Sequence, residues 1–250
     1  MTDPLPPRPQ VRELLAERIS RLGGDYGARQ HALADLSAAM RLLTAEAVTT
    51  SGSPDLIAAA ARLVRDAAAL LEPGDHDRPY FSATGAVDAD PDDGITSFFD
   101  YSGLLGPLNP LAPPLRIRLE GASVIGEVSY GRAYEGPPGC VHGGFIAAGF
   151  DEMLGLAQTL GGRPGMTGRL EIKYRRPTPL HTPLRYEAAV HSVHGRKITT
   201  RGQLLAGEEL CAEGEGLFIG FRDEDVSAVR AGWSPRNGST AEESATGTAD

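Results

Sequence analysis

The sequence predicts an α+β protein in which one long central helix is wrapped by an antiparallel β-sheet, with a helical extension ahead of it. Three observations carry that expectation. Apolar residues recur at three- and four-residue spacing through the first 71 residues, as in helices that bury one face. One nearly all-apolar helical run, Phe145 to Ala157, stands alone in the second half. Around it lie runs of alternating apolar and polar residues joined by glycine turns, with no strand–helix–strand repeat to suggest a parallel sheet.

The elements follow in order. Met1 to Pro9 is proline-rich and expected to be extended, without the charged-then-apolar pattern of a signal segment. Val11, Leu14, Leu15, Ile19 and Leu22 mark a first helix, stopped at Gly23-Gly24. Leu33, Leu36, Met40, Leu43 and Ala47 mark a second. Ser53-Pro54 supplies an N-cap and first position for a third, with Leu56, Ile57, Ala60, Leu63, Val64, Ala67 and Leu71 on its apolar side. Residues 76–114 read as a loop-rich lead-in. Its acidic stretch 88–94 lacks the alternating ligands and closing glutamate of a calcium loop, so a solvated turn is expected. Leu115, Ile117 and Leu119 alternate with charged residues as a half-buried strand, and Val124 to Tyr130 is its hairpin partner. After the central helix, which ends near Gly161-Gly162, come three more strands' worth of alternation and a last run. They are 169–175, 184–193 (less clean), 198–205 and 210–219. Residues 222–250, rich in Ser, Thr, Gly, Ala and acids, read as a disordered tail.

Composition sets limits. With 250 residues and 41% hydrophobic content the chain holds a packed core. A net charge of −9 argues against nucleic acid as a partner. Cys140 and Cys211 fit neither a metal finger nor a disulfide scaffold and read as reduced thiols. The expectation is a soluble, cytoplasmic protein without a membrane segment. His181, His191 and His194 have no carboxylate or cysteine completing a metal-ligand pattern. The sequence contains neither a Gly-x-Ser-x-Gly elbow nor a Gly-Lys-Ser/Thr phosphate loop.

The central helix carries the chemistry. His142-Gly143-Gly144 opens it, where free backbone N–H groups and the positive dipole end can receive developing negative charge. Asp151 and Glu152 interrupt its apolar run. They could form the wet side of an ordinary amphipathic helix, or one carboxylate could be enclosed by protein. Asp151 lies nine residues beyond His142. That is about 13 Å along the axis and on the opposite side. One helix cannot bring its own N-terminus and its own Asp151 to one reacting atom, whereas two antiparallel copies can. A two-fold assembly with shared sites is therefore expected. Glu152 points about 100° away and reads as a surface or interface carboxylate.

His142-Gly143-Gly144 with Asp151 nine residues on, preceded by Tyr134-Glu135-Gly136-Pro137-Pro138-Gly139, resembles the hot dog fold acyl-CoA thioesterases, most closely the PaaI-type enzymes and the mammalian thioesterase superfamily members. A second block agrees: Met166 to Leu180 is similar to that family's central strand with an Arg-Pro-x-Pro exit. Gly195-Arg196-Lys197, between two strands, is a third. The resemblance covers residues 98–220. It implies a hot dog fold and hydrolysis of an acyl-CoA to free acid and coenzyme A, with a place in lipid metabolism and no cofactor or metal.

Several residue roles follow from that resemblance. The N–H of Gly144 or Gly143 is the oxyanion donor, and His142 holds that turn or the thioester oxygen. Asp151 from the partner subunit is the base for water or attacks directly. Thr167 matches a hydroxyl that helps place the water. Its parity, however, is that of Arg169 and Lys173 rather than of Leu170 and Ile172, so it reaches the site only if Gly168 bends the strand or the start of the strand turns inward. Arg176, Arg196 and Lys197 at strand ends are candidates for the phosphates of coenzyme A. The lead-in is expected across the acyl pocket.

The domain reading is 1–75 helical extension, 76–114 lead-in, 115–221 hot dog domain and 222–250 tail. Partners are acyl-CoA and further copies of the chain, as a dimer or dimer of dimers, with no nucleic acid and no membrane. Some hot dog proteins are sensing repressors with an N-terminal helix-turn-helix. Here residues 1–75 carry eight arginines against ten acidic residues, which denies that module a basic face. A non-catalytic acyl-CoA-binding protein is the alternative, and a hot dog dehydratase a weaker one because its His-centred motif is missing.

Overall fold

Three glycines turn the chain back on itself with left-handed backbone, Gly121 (φ 58°), Gly195 (φ 60°) and Gly207 (φ 63°). Each joins a pair of antiparallel strands. Gly121 links β1 (Arg116–Glu120) to β2 (Ser123–Val128); Gly195 links β4 (Leu184–His194) to β5 (Lys197–Ala206); Gly207 links β5 to β6 (Glu209–Gly220). In the computed structural model these strands and β3 (Gly165–Tyr174) form one six-stranded antiparallel sheet, ordered β1-β2-β4-β5-β6-β3. The structure describes residues 9–20, 22, 24, 26–72, 98–113, 115–162 and 165–222. Residues 1–8 of the proline-rich start, the acidic stretch 88–94 and the tail beyond Arg222 lie outside the described residues, while Pro9, expected to be extended, opens the first helix.

The sheet wraps α4 (Gly143–Thr159). The helix buries Ile146, Phe150, Met153, Leu154, Leu156 and Ala157, against Tyr186, Ala188, Ile198, Leu204, Ala212 and Phe218 of the strands. Contact is close enough that a Cβ on Gly214 would stand 2.6 Å from the Phe150 ring. The uneven alternation of β4 has a local cause, a register shift between Val190 and Ser192.

The helical extension divides in two. Leu15 and Ile19 of α1 (Pro9–Ser20) are buried in the core, and Arg12 Nε donates to Gly121 O at 3.2 Å, so α1 covers the β1 edge of the sheet. From α2 (Ala28–Thr49), Arg41 donates to the carbonyls of Asn109 (3.0 Å) and Pro107 (3.4 Å). Just before α2, the Tyr26 hydroxyl donates to the wholly buried Asp100 at 2.6 Å. These bonds tie the first helices to the lead-in, whose Phe99, Leu105, Leu108 and Ala112 are themselves core residues. In α3 (Pro54–Leu71) the predicted cap is present, Ser53 Oγ accepting from Leu56 N–H at 3.3 Å, but no residue of the helix is buried. No helix among the described residues is long and apolar enough to cross a membrane.

Candidate active site

His142 is the N-cap of α4. Its backbone is extended (φ −62°, ψ 132°), and its ring Nδ1 accepts from Gly144 N–H at 3.0 Å. Across the same peptide, the Tyr174 hydroxyl donates to Gly143 O at 2.8 Å. The Gly143–Gly144 peptide is thus held at both ends. The Gly143 N–H has no partner among the described residues, and it points from the first turn of a helix whose dipole is positive there.

Asp151 sits two turns further along α4. Thr167 Oγ1 donates to its Oδ1 at 2.9 Å. The contact depends on a bulge. Thr167 stands opposite Phe218 in β6, while Arg169 stands opposite Leu217, so Gly168 is an extra residue in β3. Directly paired residues share a face of the sheet. Phe218 is buried toward α4, and Thr167 therefore turns inward with it; beyond the bulge Leu170, Ile172 and Tyr174 face inward while Arg169, Glu171 and Lys173 face out. The parity conflict in the sequence is resolved at Gly168.

The predicted residues fall into two groups at opposite ends of β3. Asp151 and Thr167 lie at its start. Arg196 and Lys197 are at that end as well, since Lys197 pairs with Ile219, which pairs with Met166. His142, Gly143 and Gly144 lie at its finish with Tyr174, followed by Arg176. Seven strand steps separate Thr167 from Tyr174, roughly 23 Å. Within one chain the acid and the helix N-terminus do not meet.

Arg176 is ion-paired with Glu209 and Arg175 with Glu213 (2.6 Å). Both line an open surface depression of about 600 Å³ with Glu208, Glu209 and Leu210, away from Asp151. Arg196 is partly committed, its Nε donating to Gly220 O at 2.8 Å. Among the described residues, no group of His, Cys, Asp or Glu is placed to hold a metal ion.

Glu152 differs from its sequence reading. It is half-buried under the lead-in rather than on the surface, and its carboxyl is pushed up to about 7. Burial is the main cause and the charge of Asp151 adds to it, against a hydrogen bond with the Ser102 side chain. Sequence spacing gave the direction of Glu152 but could not show that Ser102 would be folded over it. Tyr174 was legible only as one more inward residue of an alternating strand; nothing in the sequence pointed its hydroxyl at Gly143.

Known proteins similar to this chain are thioesterases. The sequence profile described as Thioesterase superfamily matches residues 138–212, which include both halves of the candidate site. The chain is 34% identical over 87 residues to the acyl-coenzyme A thioesterase THEM4 of Xenopus laevis, a match covering 34% of this chain and 39% of that protein. The corresponding Bos taurus protein is 33% identical over 95 residues, covering 37% and 39%. The chain thus spans well under half the length of these curated relatives. The crystal structure of RHA08564, a thioesterase superfamily protein, is 35% identical, with a TM-score of 0.62 over 75% of this chain and 94% of that one.

Proposed function

This chain belongs to the thioesterase superfamily, and on that footing we propose that it is an acyl-CoA thioesterase whose active site is shared between two copies. The observation that carries the reading is the inward Thr167–Asp151 pair, at the opposite end of β3 from a Gly143 N–H that has no partner among the described residues. Each half is chemically incomplete. A carboxylate with an orienting hydroxyl can take a proton from water, and an N–H at a helix start can hold an oxyanion.

β3 is the edge through which the halves meet. It is the last strand of the sheet, ten residues long and mostly exposed, with Met166 64% and Tyr174 53% accessible. The opposite edge, β1, is covered by α1. A long uncovered edge invites a second strand. Antiparallel pairing of two β3 edges, with Thr167 near the partner's Tyr174, brings Asp151 of one copy toward the partner's Gly143 at both ends of the pair.

In the shared site, Asp151 accepts a proton from water held with Thr167, and the water oxygen attacks the thioester carbonyl carbon. The carbonyl oxygen gains the negative charge, and the partner's Gly143 N–H donates to it. His142 and Tyr174 hold the adjoining Gly143–Gly144 peptide, which steadies the turn from which that N–H points. As the tetrahedral intermediate collapses, the C–S bond breaks and the thiolate of coenzyme A leaves, taking the proton from Asp151. Arg196 and Lys197, at the Asp151 end of the sheet, meet the phosphates of coenzyme A; Arg176, already paired with Glu209, is the weaker of the three candidates.

The test is thiol release over short, long and aromatic acyl-CoAs. Turnover by the wild type, and its loss by at least about 100-fold in Asp151→Asn with fold and mass intact, is the expected result. Wild-type protein that binds but hydrolyses none of them would overturn the reading.

A further inference from the structure

Helix α3 holds an apolar face that is left exposed among the described residues. Ile57, Ala60, Val64, Ala67 and Leu71 recur at alternating three- and four-residue spacing, and Leu56, Leu63 and Leu70 recur every seventh residue beside them. Together they cover an arc of about 140°. Asp55, Arg62, Arg65 and Asp66 occupy the other side. All six large apolar residues are exposed, Leu63 by 70% and Leu70 by 82%. In α2, Met40, Leu42, Leu43 and Val48 are exposed as well. An isolated helix of this length is marginal in water, so the face calls for a partner.

We propose that α3 is an assembly surface, and that its apolar face packs against the same face of a second copy of the chain. Three considerations select that occupant. The first is pattern: the three–four repeat with Ile, Val and Leu at one position and Ala at the other is that of a helix packing on a like helix, the alanines allowing close approach. The second is charge. A helix that lies in a membrane surface carries a Lys/Arg-rich polar face and aromatic anchors, whereas α3 balances two arginines with two aspartates and has no lysine or aromatic residue. The third is supply. Residues 73–97 contain only Tyr80, Phe81, Val87 and Ile95 as large apolar residues, and residues 223–250 only Val226, Val229 and Trp233, so the rest of the chain offers no stripe of comparable length. This contact is separate from the β3 edge and does not require that the protein be a thioesterase.

Leu63→Glu/Val64→Glu tests it in the full chain, since both side chains are exposed and touch none of the residues assigned to the active site. Sedimentation equilibrium and amide hydrogen exchange are read together, with Arg62→Gln on the polar side as the control. The wild type and Arg62→Gln are expected to show exchange protection in α3 that falls on dilution. The double variant should lose that protection and associate at least about 10-fold more weakly. Three results would overturn the proposal. One is unchanged mass and α3 exchange in the double variant. Another is α3 protection independent of concentration, meaning the chain covers itself. The third is binding of wild type, but not the double variant, to phosphatidylcholine–phosphatidylserine vesicles with no difference in mass. Circular dichroism of the double variant checks that the sheet is intact.

Discussion

Tyr174 donates its hydroxyl to the carbonyl of Gly143 at 2.8 Å, joining the end of β3 to the first turn of α4. The next peptide nitrogen, Gly144 N–H, is taken by His142 Nδ1 at 3.0 Å. Of the two glycine donors that the sequence left open, this arrangement occupies one and frees the other, Gly143.

A first prediction concerns that clamp. Tyr174→Phe removes one half-exposed hydrogen bond, so stability should fall by no more than about 1 kcal/mol. The oxyanion donor, Gly143 N–H, lies in the adjoining peptide and is aimed by the same first turn, so kcat for acyl-CoA should fall roughly 3- to 10-fold with KM little changed. Steady-state kinetics beside urea unfolding separates the two effects. An unchanged kcat would leave Tyr174 a purely structural group.

Gly143 itself offers a cleaner probe. It is the first residue of α4, where proline is best tolerated and where the preceding His142 is already extended. Gly143→Pro should remove the N–H and lower kcat by at least about 100-fold. Gly143→Ala is the control for crowding, because any Cβ there stands 3.1 Å from the Tyr174 hydroxyl while the N–H is kept. Equal losses in both variants would mean that crowding, rather than the missing donor, is responsible.

Thr167→Ala should cost roughly 10- to 100-fold in kcat, the worth of a hydrogen bond to a charged group, and Thr167→Ser should restore most of it. The same pair bears on how Asp151 acts. With Thr167 on Oδ1, the other carboxylate oxygen is left to take a proton from water. Single-turnover hydrolysis in H₂¹⁸O, followed by mass spectrometry of the protein, should find Asp151 unlabelled; label in its side chain would mean direct attack and an anhydride intermediate.

Glu152 gives a pH signature. Its carboxyl titrates at about 7 in the fold, above the ordinary carboxylate value of 4.5. The native state therefore binds the extra proton between those values, and stability falls as pH rises through that window. Above about pH 7 the full penalty of an ionised, half-buried Glu152 is present; below about 4.5 there is none. Glu152→Gln removes the penalty. Its stability relative to wild type should rise between pH 5 and pH 8 by on the order of 2 kcal/mol, read from urea unfolding at each pH. A constant difference across the range would contradict the burial argument.

Much of the fold was legible because its signals are local. Helix spacing, the Ser53-Pro54 cap, the alternating strands and their glycine turns are each determined by a few neighbouring residues, and the six strands and four α-helices among the described residues overlap the stretches those signals marked, although β3 starts four residues earlier, at Gly165. The site was half legible. The separation of His142 from Asp151 follows from helix geometry alone. The inward turn of Thr167 does not, because it depends on a register shift against β6, some fifty residues away in sequence. The burial of Glu152 depends likewise on the lead-in closing over α4, and the Tyr174–Gly143 bond on how far β3 runs beside that helix. Long-range register is what a local pattern cannot carry.

The central claim is that Asp151 of one copy works with Gly143 of another, and mixing two inactive proteins tests it most directly. Asp151→Asn and Gly143→Pro, each without turnover alone, are combined in equal amounts and allowed to exchange subunits, with exchange followed by mass-tagged chains. Half of the dimers are then mixed, and each holds one site with both lesions and one with neither. Recovery of about a quarter of wild-type thiol release is expected. If subunits exchange and no activity returns, the two residues do not share a site across copies, and the account is contradicted.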